Sequence, residues 1–116
     1  MDVLIVDDNA AVRRMLRSLL SESHYTISEE RDGSAAIAQC ERHAPDVVLM
    51  DVEMQPVDGI AATSEIKRRW PGVRVFIVSN YGDKRTRAAA AKVGADGFVE
   101  KEHLIDVRAL IEHATT

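Results

Sequence analysis

Two periodicities alternate along the chain. Short apolar runs rich in β-branched residues are each followed by a longer stretch in which apolar positions recur at helical spacing. The runs Val3–Val6, Tyr25–Ser28, Val47–Met50, Val73–Val78 and Gly97–Val99 read as five strands. The first intervening stretch is the clearest helix, because Val12, Met15, Leu16, Leu19 and Leu20 make one apolar stripe. Leu104, Val107, Ile111 and Ala114 repeat the spacing in a last helix. Two shorter helices are predicted from Ser34 to about His43 and from Ile60 to about Trp70. Pro45 and Pro71 stop them, and Asp58 is placed to cap the second. A helix from Asp83 to Val93 offers the core only alanines and one valine, so weak packing and an adjustable position are expected of it.

Strands buried on both faces read as continuous apolar runs, and strands one, three and four have that character. Strand two alternates and strand five is short, which marks them as edges. With sequential neighbours adjacent in space, the simplest sheet order is 2-1-3-4-5. That is an α/β fold of the flavodoxin-like doubly wound type, (βα) repeated five times around a parallel sheet.

A chain of 116 residues suits one domain, and 46% hydrophobic residues suffice for a packed core. A net charge of -4 argues against direct binding of nucleic acid, which needs a clustered basic excess. Lys67-Arg68-Arg69 and Lys84-Arg85 read as solvated helix faces. The single cysteine, Cys40, excludes an intramolecular disulfide and fits a reducing compartment. His24, His43, His103 and His113 lack the pairing of a zinc site. Met1-Asp2 and the shortness of the apolar runs indicate neither a secretion signal nor a membrane span, so a cytoplasmic location is expected.

In open α/β sheets the functional crevice lies beyond the carboxyl ends of the strands. The residues there are Asp7 and Asp8, Asp51, Ser79 and Lys101. Three convergent carboxylates repel one another unless a cation joins them, and hard oxygen ligands suit Mg²⁺. Each residue also has a plainer reading. Asp7, Asp8 and Asn9 serve as a helix cap, Asp51 as a turn residue, Ser79 as a cap for the fourth helix, and Lys101 as a solvated charge beside Glu100 and Glu102.

The segments VLIVDDN (Val3–Asn9), DVVLMDVEM (Asp46–Met54), Asp58-Gly59, FIVSNY (Phe76–Tyr81) and GADGFVEK (Gly94–Lys101) resemble bacterial response-regulator receiver domains over residues 1–116. The resemblance implies a two-component phosphorelay module in which Asp51 accepts a phosphoryl group from a sensor histidine kinase or phosphotransfer protein. By similarity Asp8, Asp51 and the backbone carbonyl of Glu53 would ligate Mg²⁺, with Asp7 acting directly or through water. Lys101 would pair with the phosphoryl oxygens. Ser79 would turn to hydrogen-bond them and Phe98 would move inward, changing the face made by helix four, strand five and helix five. That face would then control an output domain, such as a fused helix-turn-helix DNA-binding domain, or form a homodimer.

Such a module catalyses its own phosphorylation and dephosphorylation and is not a turnover enzyme. Glu102 replaces the proline that usually follows the lysine, and the usual proline after the methionine is displaced in Met54-Gln55-Pro56-Val57. The switch position holds phenylalanine, so no phenol hydroxyl acts there. Glu53 and Tyr81 stand where such domains tune the lifetime of the acyl phosphate. The competing functions are a phosphorylation-independent interaction module, an aspartate-nucleophile hydrolase using Asp51 and Glu53, and a flavin carrier. The acidic Asp7-Asp8-Asn9 loop opposes the last of these.

Overall fold

A computed structural model of the protein describes residues 1–21, 24–53, 58–80 and 84–115. Five strands alternate with five helices: β1 (Asp2–Val6), α1 (Ala10–Leu20), β2 (Thr26–Glu30), α2 (Gly33–Arg42), β3 (Val47–Asp51), α3 (Gly59–Arg69), β4 (Arg74–Ser79), α4 (Lys84–Lys92), β5 (Gly97–Glu100) and α5 (Val107–Thr115). A 3-10 segment, Lys101–Asp106, joins β5 to α5. All strand pairs are parallel and the order is β2-β1-β3-β4-β5, as expected of a doubly wound sheet.

Alternation along the strands divides the core into two layers. Leu4, Val6, Val48, Met50, Val75 and Ile77 face Ala36 and Cys40 of α2, Ala62 and Ile66 of α3 and Ala90 of α4. Val3, Ile5, Val47, Leu49, Phe76 and Val78 face Leu16 and Leu20 of α1 and Val107 and Ile111 of α5. β1 after its first residue, and all of β3, are fully buried, which is why they read as unbroken apolar runs. Burial pushes the Cys40 thiol up to about 11, making it an inert core group. Among the described residues no helix is long and apolar enough to cross a membrane.

Four expectations need correction. Met15 is 55% exposed. It lies about 100° around the helix axis from Leu16, beyond the arc that Leu16 and Leu20 bury. β2 starts one residue later than expected and runs on to Glu30, because Ile5 and Val6 pair with Glu29 and Glu30 and the edge position leaves those carboxylates reachable by arginines. Leu104 shares the buried layer with Val107, Ile111 and Ala114, as expected, but it sits in the 3-10 segment that leads into α5, with Val107 N donating to Leu104 O, and so lies ahead of the α-helix itself. Finally, Lys67 is no solvated charge. Its ammonium donates to Pro71 O at 3.2 Å, Val73 O at 2.9 Å and Asp96 Oδ2 at 3.0 Å, tying the end of α3 to the entry of β4. The expected start of the fourth helix at Asp83, the Met54-Gln55-Pro56-Val57 turn and Tyr81 lie outside the described residues.

Candidate functional site

The register of the sheet assembles the site. Val6 pairs with Met50, so the next residues, Asp7 and Asp51, leave neighbouring strands side by side. Both are buried, with only 1% and 2% of their surfaces exposed. Lys101, one residue past β5, reaches across the strand ends to lie 3.1 Å from Asp7 Oδ2 and 3.3 Å from Asp51 Oδ1. Asp8 is on the exposed rim, and Glu53 is exposed just after Asp51. Ser79 closes β4 and is fully buried. The structure therefore brings Asp7, Asp51 and Lys101 into direct contact and places Asp8 beside them.

Local sequence explains the loop. Asn9 caps α1 by accepting from Ala11 N at 2.9 Å and Val12 N at 3.3 Å. Asn9 N in turn donates to Asp7 Oδ1 at 2.8 Å. The capping reading of this loop is thus correct for Asn9, while Asp7 points into the crevice. Asp58 caps α3 through Ala61 N at 2.8 Å, as expected.

Burial raises the pKa of Asp51 and the neighbouring Asp7 carboxylate adds to the rise; Lys101 and the Glu53 N–H, which donates to Asp51 Oδ1 at 3.4 Å, oppose it. For Lys101, burial disfavours the charge but Asp51 and Asp7 outweigh it, so its pKa is raised and it stays cationic. One cation thus serves two buried carboxylates.

That balance leaves room for a second positive charge. Asp7 Oδ2 is a buried oxygen that no donor among the described residues meets in hydrogen-bond geometry, although the Lys101 ammonium is 3.1 Å away. One carboxylate oxygen each from Asp7, Asp8 and Asp51 lie within 4.8 Å of one another. Three hard oxygens, two of them on buried residues, fit a small divalent cation. Glu100, Glu102 and His103 are also close together, but they lie on the partly solvated side of β5.

Phe98 is half-buried against the α2, α3 and α4 layer. The Arg87 guanidinium of α4 stacks 4.4 Å from its ring centre and also meets Glu100 Oε1 at 3.2 Å. A surface groove of about 590 Å³ lies here, lined by Arg87, Phe98, Glu100, His103 and His113, and not over the acid site.

Two contributors escaped sequence reasoning. A Cβ on Gly59 would fall 1.9 Å from the carbonyl oxygen of Asp51, so only glycine lets α3 begin against the backbone that carries that residue. The Asp58-Gly59 pair is the signal, but sequence reasoning takes it as a cap and as part of the resemblance, with no role given to the glycine. Arg13 donates to the Asp7 carbonyl oxygen at 2.6 Å, and nothing in helical periodicity announces a loop contact of that kind.

Residues 3–114 match the response regulator receiver domain family. The chemotaxis protein CheY of Halobacterium salinarum is 37% identical over 99 residues, covering 85% of this chain and 82% of that protein. The transcriptional regulatory protein DegU of Brevibacillus brevis is 34% identical over 112 residues, covering 95% of this chain and 47% of DegU, so the chain spans about half of that relative. Among solved structures, a DNA-binding response regulator of the LuxR family from Staphylococcus aureus superposes with a TM-score of 0.91 at 23% identity, covering 99% of this chain and 98% of the other. The Vibrio cholerae chemotaxis protein CheY4 gives 0.89 at 21% identity, with 97% of each chain covered. At those identities the structures support the fold alone.

Proposed function

Because the chain belongs to the response-regulator receiver domain family, we propose that residues 1–116 form a single phosphoacceptor domain in which Asp51 receives a phosphoryl group from a phosphohistidine of a sensor kinase or phosphotransfer protein. The observation that carries this reading is the Lys101 ammonium held 3.1 Å from Asp7 and 3.3 Å from Asp51 at buried strand ends. A carboxylate pair retained in the interior with a single lysine is costly for stability and suited to phosphoryl chemistry.

In the transfer an Asp51 carboxylate oxygen forms the new P–O bond while the donor's P–N bond breaks, the imidazole nitrogen leaving with the electron pair. Lys101, already placed between the two carboxylates, shifts its charge toward the phosphoryl oxygens. Asp8, Asp51 and the Glu53 carbonyl would hold Mg²⁺, with Asp7 bound directly or through water, and the ion would supply the remaining charge neutralisation. Ser79, at the end of the neighbouring strand, donates its hydroxyl to the new dianionic group. Phe98 then moves inward, which breaks its stacking on Arg87 and alters the α4, β5 and α5 surface.

The readout is control of an output domain or of a partner, including a second copy of this chain through that surface. DegU, whose name marks it as a transcriptional regulator and of which this chain spans about half, supports an output domain. The domain signals and does not turn over an external substrate, and its place of action is the cytoplasm.

The test is intact-protein mass after incubation with MgCl₂ and acetyl phosphate. A single phosphoryl adduct is expected, absent from Asp51→Asn and from a chelated sample. An adduct of equal yield on Asp51→Asn, or none on the wild type under rapid quenching with a competent donor control, overturns the assignment.

A further inference from the structure

Asp8 differs from the other members of the acid cluster in how it is held. Its carboxylate makes no hydrogen bond or ion pair among the described residues, whereas Asp7 and Asp51 are gripped by Lys101 and by backbone N–H groups. With no partner holding the side chain, what the fold fixes of Asp8 is its backbone and hence the direction of its Cα–Cβ bond. That backbone is anchored from the preceding residue. Asp7 N donates to Glu30 O at 3.2 Å, and Asp7 O accepts from Arg13 Nη1 at 2.6 Å. The Asp7 carbonyl and the Asp8 amide nitrogen belong to one planar peptide unit, so a donor that fixes the carbonyl also fixes the plane from which Asp8 departs.

Arg13 is itself clamped. Its Nε meets Glu29 Oε1 at 3.0 Å, and the second oxygen of Glu29 meets Arg17 Nε at 2.7 Å. The Arg13 side chain is only 15% exposed, which separates it from an ordinary surface ion pair. One guanidinium fork thus joins the β2 edge to the carbonyl beside Asp8, a planar two-point grip that an ammonium cannot reproduce.

We infer that Arg13, clamped by Glu29, is the positioning residue that aims Asp8 at the metal. The inference rests on the metal-dependent reading above and adds a role to a residue that touches neither ion nor phosphoryl group. Its sign is diagnostic. Removing a positive charge next to an acid cluster should, by Coulomb's law alone, tighten cation binding. Loss of positioning does the opposite, and losing an outer support of a metal ligand typically costs 10- to 100-fold in affinity.

Thermal melts of the purified chain across a series of MgCl₂ concentrations test the assignment, using wild type, Arg13→Met and Arg13→Lys. The expected result is a midpoint of the Mg²⁺ response raised about 10- to 100-fold in Arg13→Met. Arg13→Lys should shift in the same direction, with acetyl phosphate adduct formation recovering toward wild type as MgCl₂ is raised. An unchanged or lowered midpoint in Arg13→Met overturns the inference, even if the metal-free melting temperature falls, because Arg13 then only braces the fold. Should Arg13→Met not fold, an unchanged midpoint in Arg13→Lys overturns it equally. A wild-type chain with no Mg²⁺ response defeats the metal reading and this inference together, an outcome distinct from failure confined to the variants.

Discussion

Replacing Gly59 by alanine would drive a methyl group into the backbone that carries Asp51. The added carbon would stand 1.9 Å from Asp51 O and 2.8 Å from Val52 Cα, so the start of α3 must retreat from β3 by about 1 Å. That retreat strains the Gly59 N to Val52 O hydrogen bond of 3.2 Å. Overpacking of this sort costs about 1–3 kcal/mol and the lost hydrogen bond about 1 kcal/mol more. Alanine's better helix propensity returns at most about 1 kcal/mol. The net expectation is a loss of about 2 kcal/mol, readable by urea unfolding. Gly72→Ala is the control, since no atom lies within 4 Å of its added carbon; it should stay within about 0.5 kcal/mol of wild type. The strain falls on the backbone of Asp51, the proposed acceptor, so phosphoryl acceptance should slow by up to about 100-fold, an effect that misplacing a reacting group by about 1 Å can produce. A Gly59→Ala protein within about 0.5 kcal/mol of wild type, accepting phosphate at an undiminished rate, would refute the claim that this contact positions Asp51.

Three further expectations follow from single contacts. In metal-free buffer Asp51→Asn should melt higher than wild type at neutral pH. The raised folded-state pKa means that ionised Asp51 opposes folding, so wild type gains stability as pH falls through that pKa, and the difference should shrink toward the ordinary carboxylate pKa of 3.8; a difference independent of pH refutes this. Lys67→Met should cost about 2 kcal/mol in urea unfolding by taking a donor from two carbonyls and from Asp96, which keeps Val75 N, and a loss below about 0.5 kcal/mol would show the three bonds to be exchangeable for water. Thr63→Val should stabilise by about 1 kcal/mol, because Thr63 Oγ1 is buried without a hydrogen-bond partner among the described residues; lower stability would reveal an acceptor or donor for that hydroxyl.

Much of the architecture was legible because burial on both faces leaves a plain trace. β1, β3 and β4 are unbroken apolar runs, and their order follows from which strands look internal. The strand-end carboxylates and Lys101 were legible for a related reason, since the crevice of a doubly wound sheet is found from the strand ends without knowing any contact. What stayed hidden depends on partners far away in sequence. Glu29 and Glu30 look like a strand's end until Arg13 and Arg17 arrive from α1 and Arg42 from α2, and Lys67 looks solvated until Asp96 arrives from just before β5. Met15 misled because helical spacing puts it on the apolar stripe but at its edge, outside the narrower arc that Leu16 and Leu20 bury.

The thin packing of α4 divides the molecule into tiers of opening. Lys84–Lys92 buries only Ala90, and its ties to β5 include the stacking of Arg87 on Phe98 and the Arg87–Glu100 pair. Lifting this helix away exposes little apolar surface, so its amides should exchange with deuterated solvent through local openings that leave the sheet intact. The amides of β1 and β3 have no such route and exchange only when the whole domain unfolds. Signal and stability are therefore kept on separate accounts of motion: α4 can be rearranged many times over within the lifetime of a single folded sheet.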